Sequence, residues 1–231
     1  MCGICGLATA TPSAVPVALL EAMCRTIVHR GPDDQGIHLG RSAALGARRL
    51  SIIDVEGGHQ PLSNEDGSIW IAYNGEAYNY AEVREELIGR GHAFATHSDT
   101  ETIVHAHEEW GMDGIHRFRG MFAFALWERG PRRLTLVRDR IGVKPLYYTL
   151  LPNGTLVFGS ELKAILAFPG VAREIEPEAL DLFLTLEYIP APYSIFKGVF
   201  KLPAGSFLTY EDGRIEVRKY WDVPPAEEAG A

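Results

Sequence analysis

The sequence has few cysteines and no long apolar run. Only three of its 231 residues are cysteine, and an odd, small number fits a reducing compartment better than a disulfide framework. No stretch approaches the roughly 18 to 20 apolar residues that span a bilayer. The opening MCGICGLATA lacks the basic region of a signal peptide. These absences predict a cytoplasmic protein without membrane contact.

Basic residues are also scarce relative to acidic ones. Lys and Arg total 22 against 30 Asp and Glu, which gives a net charge of −8. Such a balance argues against a basic nucleic-acid-binding surface. The hydrophobic share of 46% and the charged share of 23% are typical of a folded globular protein. A chain of 231 residues can bury a sizeable core, as one large domain or two small ones.

Hydrophobic periodicity predicts strands, then helices, then more strands. The predicted strands cover residues 4–9, 36–39, 43–54, 69–73, 122–127, 134–139 and 146–151. Predicted helices cover residues 15–30, the stretches that follow Asn79 and Ser98, and residues 161–168 and 177–186. Asn153-Gly154 and Asp212-Gly213 predict hairpin turns. This order indicates mixed sheets with helices packed on them.

Cys2 and Cys5 form a C-x-x-C pair at the start of the chain, which admits three interpretations. The pairing could be chance, it could serve metal or redox chemistry, or the chain end could itself be the catalyst. A structural zinc needs two further ligands, usually a second close pair, and the sequence has no second C-x-x-C. We therefore predict no metal site, and we expect Cys5 and Cys24 to be small buried residues in a strand and a helix.

The third interpretation has a sound chemical basis. Removal of Met1 would leave Cys2 with a free α-amine, whose pKa of about 7.7 to 8.0 lies far below the 10.4 of lysine. A thiol with a pKa near 8.5 is within about one unit of that base, so proton transfer between them is well matched. One residue could then supply both nucleophile and base.

Several motifs appear in one order along the chain. They are MCGI at the start, HRGPDDQG at 29–36, RRLSIID at 48–54, HQPL at 59–62, YNGEAYNY at 73–80 and SDTET at 98–102. Together they resemble the class II glutamine amidotransferases, which use an N-terminal nucleophile. The later stretches FRGMFAFALWE, RDRIGVKPLYY, FGSELKAIL and YWDV resemble the glutaminase domain of the glutamine-hydrolysing asparagine synthetase family. The resemblance covers residues 2–222.

The resemblance implies both a fold and a reaction. The fold is α+β, a four-layer αββα sandwich of the N-terminal nucleophile hydrolase type over residues 2–218, with 219–231 as a linker or tail. In the reaction, Cys2 attacks the side-chain amide of L-glutamine, ammonia leaves, and water releases glutamate from a γ-glutamyl thioester. The ammonia would serve a synthetase domain or partner, most simply for ATP-dependent asparagine synthesis from aspartate.

The resemblance also implies site residues. Asn74 and Gly75 would form the oxyanion hole beside Cys2, although an ordinary Asn-Gly turn is the simpler interpretation of those two residues alone. Arg49 would bind the substrate α-carboxylate, because a guanidinium suits a planar carboxylate; its neighbour Arg48 could be confused with it. The implied pocket is completed by Leu50, Ser51, Ile52 and Ile53, and by Glu76 and Asp99 for the α-ammonium. Asp99 could equally be a first-turn helix acid.

The resemblance has a limit. The sequence contains neither an S-G-G-x-D-S string nor a Walker A pattern, so we expect no cofactor in this chain and place ATP and Mg²⁺ only in a separate synthetase domain or subunit. Residues 182–200 are unusually apolar and predict an interface with that unit. Two alternatives stay open: a glutaminase module for a specialised metabolite, and a non-catalytic glutamine-binding or docking module. A homodimer is also left open.

Overall fold

Two six-stranded sheets form the centre of the computed structural model, which describes residues 2–224. The strands are β1 (Gly3–Ala8), β2 (Asp34–Leu39), β3 (Ala43–Arg49), β4 (Leu62–Ser63), β5 (Ile69–Ala77), β6 (Gly120–Glu128), β7 (Arg133–Arg138), β8 (Tyr147–Leu150), β9 (Leu156–Gly159), β10 (Phe200–Lys201), β11 (Ser206–Glu211) and β12 (Arg214–Lys219). The α-helices are α1 (Val17–Thr26), α2 (Tyr80–Gly89), α3 (Asp99–Trp110), α4 (Leu162–Leu166) and α5 (Pro177–Leu186). Two 3₁₀ helices cover Val28–Arg30 and Gly111–Arg117.

All the strand pairs are antiparallel. The first sheet has the order β10-β8-β9-β1-β3-β2, and the second has the order β12-β11-β7-β6-β5-β4. The strand β1 therefore lies in the middle of the first sheet, between β3 and β9. The strand β5 lies near the edge of the second, because β4 pairs with only Trp70 and Ile71. The rest of that edge of β5 is left without a strand partner.

Side-chain alternation along the strands builds three apolar layers. Between the sheets, Ile4 and Leu45 of the first meet Ala72 and Leu136 of the second. The outer face of the second sheet packs on α2 and α3, and that of the first packs on α1 and α4. The chain is thus the predicted αββα sandwich. None of the helices within residues 2–224 is long and apolar enough to cross a bilayer.

The cysteines separate according to this alternation. Cys5 faces α1, where its sulfur lies 3.5 Å from that of Cys24, and both residues are fully buried. The hydrogen bond with Cys24, together with burial, raises the pKa of the Cys5 thiol. Cys2 precedes β1 with the same parity as Ile4, which faces the second sheet. Cys2 and Cys5 therefore lie on opposite faces and cannot share a metal ion, and the predicted core roles of Cys5 and Cys24 are confirmed.

Two of the predicted element details are wrong. The strand predicted over 43–54 ends at Arg49, because the Arg49 side chain captures the carbonyls of the following residues and turns them into a loop. Asn79 precedes α2 but does not cap it through its side chain. Its amide instead bridges to the segment before β6, accepting from the Arg119 N–H at 2.7 Å and donating to the Arg117 carbonyl at 2.9 Å.

The remaining turn and cap predictions are confirmed. Ser98 accepts a hydrogen bond from the backbone N–H of Glu101 at 3.3 Å, and α3 ends where Gly111 adopts a positive φ of 57°. Asp212 and Gly213 both take positive φ in the turn between β11 and β12. At the other end, β12 runs to Lys219 and the Tyr220 hydroxyl donates to the Arg138 carbonyl at 2.9 Å. The fold therefore continues past residue 218, and 225–231 lie outside the described residues.

Candidate active site

The unpaired edge of β5 presents a row of backbone N–H groups. The N–H of Tyr73 donates to the Gln60 side chain at 2.7 Å, and that of Ala77 donates to the Asp99 carboxylate at 3.0 Å. Gly75 lies midway between them, so strand alternation turns its N–H to the same edge. The N–H and C=O of its cross-strand neighbour Phe122 both bond to Asp139, directly after β7, so they do not bond to Gly75.

Asn74 turns its side chain the other way, into the space between the sheets. It shares the parity of Ala72, which faces the first sheet, and it is completely buried. Both its amide nitrogen and its amide oxygen are buried without a hydrogen-bond partner among the described residues. Such unpartnered polar atoms are rare in protein interiors and cost free energy. The Asn-Gly pair is part of β5 and not a turn.

Cys2 is held where β1 begins. Its carbonyl accepts a hydrogen bond from Arg30 Nε at 2.9 Å, and its sulfur lies 3.7 Å from the Leu50 carbonyl oxygen. Arg30 is in turn fixed by Glu161, whose carboxylate accepts from Nη1 at 3.0 Å. Cys2 itself is only partly buried. Arg30 therefore supports the backbone of Cys2 while the thiol stays reachable.

Arg49 organises the wall next to Cys2. Its guanidinium donates to the carbonyls of Ile53 at 2.7 Å, Asp54 at 2.6 Å and Val55 at 3.0 Å. These bonds use three of its five N–H donors. Arg48 points elsewhere, to the carbonyl of Gly31 and the side chain of Gln35. Of the two neighbouring arginines, only Arg49 reaches the cavity of Cys2.

Two carboxylates of elevated pKa face this cavity. Burial raises the pKa of Asp99, although hydrogen bonds from the Ala77 N–H and the Tyr73 hydroxyl lower it in part. Burial and the nearby charge of Asp99 raise the pKa of Glu76, with Lys144 opposing. Two acids in one desolvated site favour a cation between them. Asp99 is also the first residue of α3, so one carboxylate both lines the cavity and lies in the first turn of a helix.

The structure brings nearly all the predicted site residues to one small cavity. Its lining includes Cys2, Arg49, Leu50, Ile52, Ile53, Gly75, Glu76 and Asp99. Asn74 is buried in β5 immediately beside this lining. Ser51 is the exception, because it lines a neighbouring pocket and its N–H donates to the Asp33 carboxylate at 2.9 Å.

The site also includes residues that were not predicted, among them Tyr73, Gln60 and Lys144. Tyr73 and Gln60 line the cavity and hold Asp99 and the edge of β5. Lys144 is almost fully buried, and burial lowers its pKa while the charges of Glu76 and Cys2 act in the opposite direction. Nothing in the local pattern around Lys144 signals a site role; only the fold carries the segment before β8 to Cys2.

Comparison with known proteins identifies relatives along nearly the whole chain. A family model described as "Glutamine amidotransferase domain" matches residues 1–221. Among curated proteins, the chain is 40% identical over 225 residues to asparagine synthetase [glutamine-hydrolyzing] 1 of Bacillus subtilis, covering 96% of this chain and 35% of that protein. It is 37% identical over 247 residues to a putative asparagine synthetase [glutamine-hydrolyzing] 2 of Methanocaldococcus jannaschii, covering 97% and 47%. The chain thus spans less than half the length of these relatives.

Solved structures share the fold at low sequence identity. Glutamine phosphoribosylpyrophosphate amidotransferase from B. subtilis, complexed with ADP and GMP, superposes with a TM-score of 0.66 at 18% identity. The match covers 95% of this chain and 49% of that one. The similarity confirms the α+β fold of two antiparallel sheets packed between helices.

Proposed function

Because the chain belongs to the glutamine amidotransferase domain family, we propose that it hydrolyses L-glutamine to glutamate and ammonia with Cys2 as nucleophile. One observation carries the proposal: Asn74, whose buried amide has no hydrogen-bond partner within residues 2–224, directly precedes Gly75, which lines the cavity of Cys2 and turns its N–H to the unpaired edge of β5. Two donors converging beside a nucleophile are what a developing oxyanion requires. An ordinary structural asparagine would be expected to bond within the fold.

The reaction needs no group beyond these residues, substrate and water. After loss of Met1, the α-amine of Cys2 takes the thiol proton and the sulfur attacks the glutamine δ-carbon. Asn74 and Gly75 stabilise the resulting oxyanion. The C–N bond then breaks, the α-ammonium returns the proton, and ammonia leaves. Water, deprotonated by the same amine, attacks the thioester and frees glutamate and the thiol.

Charge complementarity orients the substrate in this proposal. Glu76 and Asp99 supply the negative charge that an α-ammonium would neutralise, which is consistent with their raised pKa values. In the same proposal, the N–H donors of Arg49 that are not bonded to backbone carbonyls bind the α-carboxylate. A glutamine analogue without its α-amino group should therefore bind less well, through a higher KM.

The central test is glutamate release by the purified chain. Intact mass should show loss of Met1, and Cys2→Ala should abolish glutamate formation while Cys24→Ala, a buried thiol on α1, retains it. Activity that persists in Cys2→Ala would rule out the nucleophile. A fully processed, folded chain with no glutaminase activity would instead favour the docking-module alternative.

We also propose that the ammonia passes to an ATP-dependent synthetase unit that forms asparagine from aspartate. The relatives that carry this name are more than twice the length of the chain. The chain also exposes an apolar face on and after α5, with Phe183 47%, Leu184 73% and Tyr188 60% accessible. An exposed apolar face of this kind is typical of a surface that a partner protein or domain covers. It lies within residues 182–200, where the sequence predicts an exposed apolar patch.

Substitution on this face separates docking from chemistry. Leu184→Ser should leave glutamate release unchanged and should reduce glutamine-dependent, but not ammonia-dependent, amide synthesis by the joined or partnered synthetase. Ile88→Ser, at an exposed apolar position on α2, is the matched control. Equal effects of the two substitutions would contradict docking through α5.

A further inference from the structure

A second cluster of ligating side chains lies in the helical layer on the second sheet. One ring nitrogen of His92, one ring nitrogen of His105 and a carboxylate oxygen of Glu108 lie within 4.8 Å of one another. His105 and Glu108 are three residues apart on α3, and His92 lies in the loop after α2. The cluster is six residues or more along α3 from Asp99, so it is separate from the cavity of Cys2.

The spacing of these atoms fits a small divalent ion. Glu108 Oε2 lies 2.7 Å from His105 Nδ1 and 3.8 Å from His92 Nδ1. Bonds of about 2.0 to 2.2 Å in a tetrahedral site separate ligand atoms by roughly 3.3 Å. The two observed distances bracket that value, and the two ring nitrogens lie no more than 4.8 Å apart, so side-chain rotation is what would bring all three atoms to bonding distance.

The far side of each ligand faces a carboxylate or an amide. His92 Nε2 lies 3.2 Å from the Glu109 carboxylate, and His105 Nε2 faces Glu101 at 3.7 Å. Glu108 Oε1 accepts a hydrogen bond from Asn64 at 2.8 Å. Histidines that bind metals almost always place the second nitrogen against a carboxylate or carbonyl, which fixes the ring with its other nitrogen toward the ion.

Burial argues that the arrangement is more than a surface ion pair. The His105 side chain is only 1% exposed, and its Nε2 makes no hydrogen bond within residues 2–224. The His92 and Glu108 side chains remain 17% and 23% exposed, which leaves a route for an ion and for water. A buried ligand backed by two partly accessible ones is suited to capture from solution.

We propose that His92, His105 and Glu108 bind a divalent transition metal ion of the zinc type, with water completing the coordination. Two imidazoles and one carboxylate are a donor set that zinc accepts and that calcium and magnesium, which prefer oxygen, do not. The ion would displace the proton of the hydrogen bond between His105 Nδ1 and Glu108 Oε2. It would also tie the loop after α2 to α3 and so stabilise that hairpin.

Zinc titration against a chromophoric competitor tests the site. The titration uses the full chain carrying Cys2→Ser, because the active-site thiol would otherwise bind zinc itself. We expect one zinc per chain, and an affinity weakened by about 100-fold or more in Glu108→Gln and His92→Gln. His116→Gln, which removes an exposed histidine outside the cluster, should bind as the parent does.

Two further readouts keep the result interpretable. Cobalt(II) should give visible d–d bands of tetrahedral intensity without a thiolate charge-transfer band. Zinc should raise the Tm of the Cys2→Ser chain and leave that of its Glu108→Gln derivative unchanged, while the metal-free Tm of each variant reports whether it folds. The proposal is overturned if the folded chain binds no zinc above the competitor, or if Glu108→Gln and His92→Gln bind it as tightly as the His116→Gln control.

Discussion

Replacing Asn74 by alanine should separate catalysis from folding. The amide of Asn74 is fully buried, and neither of its polar atoms has a partner within residues 2–224. Its removal takes away one of the two donors proposed for the oxyanion. Loss of one such donor typically lowers kcat by about 10² to 10³, equivalent to about 2.7 to 4 kcal/mol of barrier.

The same substitution should change the free energy of unfolding very little. An unsatisfied buried polar group costs about 1 to 3 kcal/mol, so deleting the amide removes a penalty that roughly offsets the small cavity it leaves. We therefore expect the free energy of unfolding to change by no more than about 1 kcal/mol. KM for glutamine should stay close to its original value, because the lost interaction forms only in the transition state.

Asn64 provides the matched control. It is also buried, but its amide bonds to Ser68 at 2.9 Å and Glu108 at 2.8 Å and accepts from Ile69 at 3.0 Å. Asn64→Ala should therefore lower stability and leave kcat near the parent value. The measurements are kcat from glutamate release at saturating glutamine and Tm by calorimetry. A kcat within tenfold of the parent in Asn74→Ala, or a loss of stability equal to that of Asn64→Ala, would refute the assignment.

Two further predictions follow from contacts around the site and in the sheet. Arg30→Lys should lower kcat/KM for glutamine by about tenfold or more, as measured by glutamate release. A lysine cannot make both the 2.9 Å bond from Nε to the Cys2 carbonyl and the ion pair of Nη1 with Glu161. An unchanged kcat/KM would contradict the supporting role of Arg30. Burial alone would raise the pKa of Glu128, but bonds from His107 and Arg133 lower it from 4.5 to about 2. The stability that this lowered pKa contributes is present above pH 4.5 and is lost as pH falls toward 2. Glu128→Gln should therefore lower the free energy of unfolding at pH 7 by up to about 3 kcal/mol and should weaken its decrease between pH 4.5 and 2 in denaturant titrations. Parallel pH dependences for the parent and the variant would refute this prediction.

Local signals predicted the elements whose causes are local. The Asp212-Gly213 turn and the Ser98 cap depend on the backbone preferences of a few adjacent residues, and both are present. The order of motifs also predicted the sandwich, since each motif marks an element of known place. Asn79 shows the limit of this reasoning: its side chain bonds to Arg117 and Arg119, far along the chain, and no local pattern contains them.

Among the site residues, too, some were predicted from the sequence and others depend on tertiary contacts. Cys2, Asn74 and Gly75 were predicted from motifs and come together as expected, although their role remains a prediction. Lys144 was missed because its approach to Cys2 depends on Asp139, whose carboxylate accepts from the N–H groups of residues 143 and 144 at 2.9 Å each and so bends the chain before β8. Such a bend is set by tertiary contact and leaves no periodic trace in the sequence.

The three cysteine thiols differ in accessibility, and this difference can be used to label one of them. Cys5 and Cys24 are sealed between β1 and α1, whereas Cys2 opens to the cavity. A maleimide added to the native chain should therefore label one thiol of three, and glutaminase activity should disappear in proportion to the label. Stoichiometric alkylation would thus count the chains with an accessible Cys2 thiol, and denaturation before labelling would expose the other two thiols.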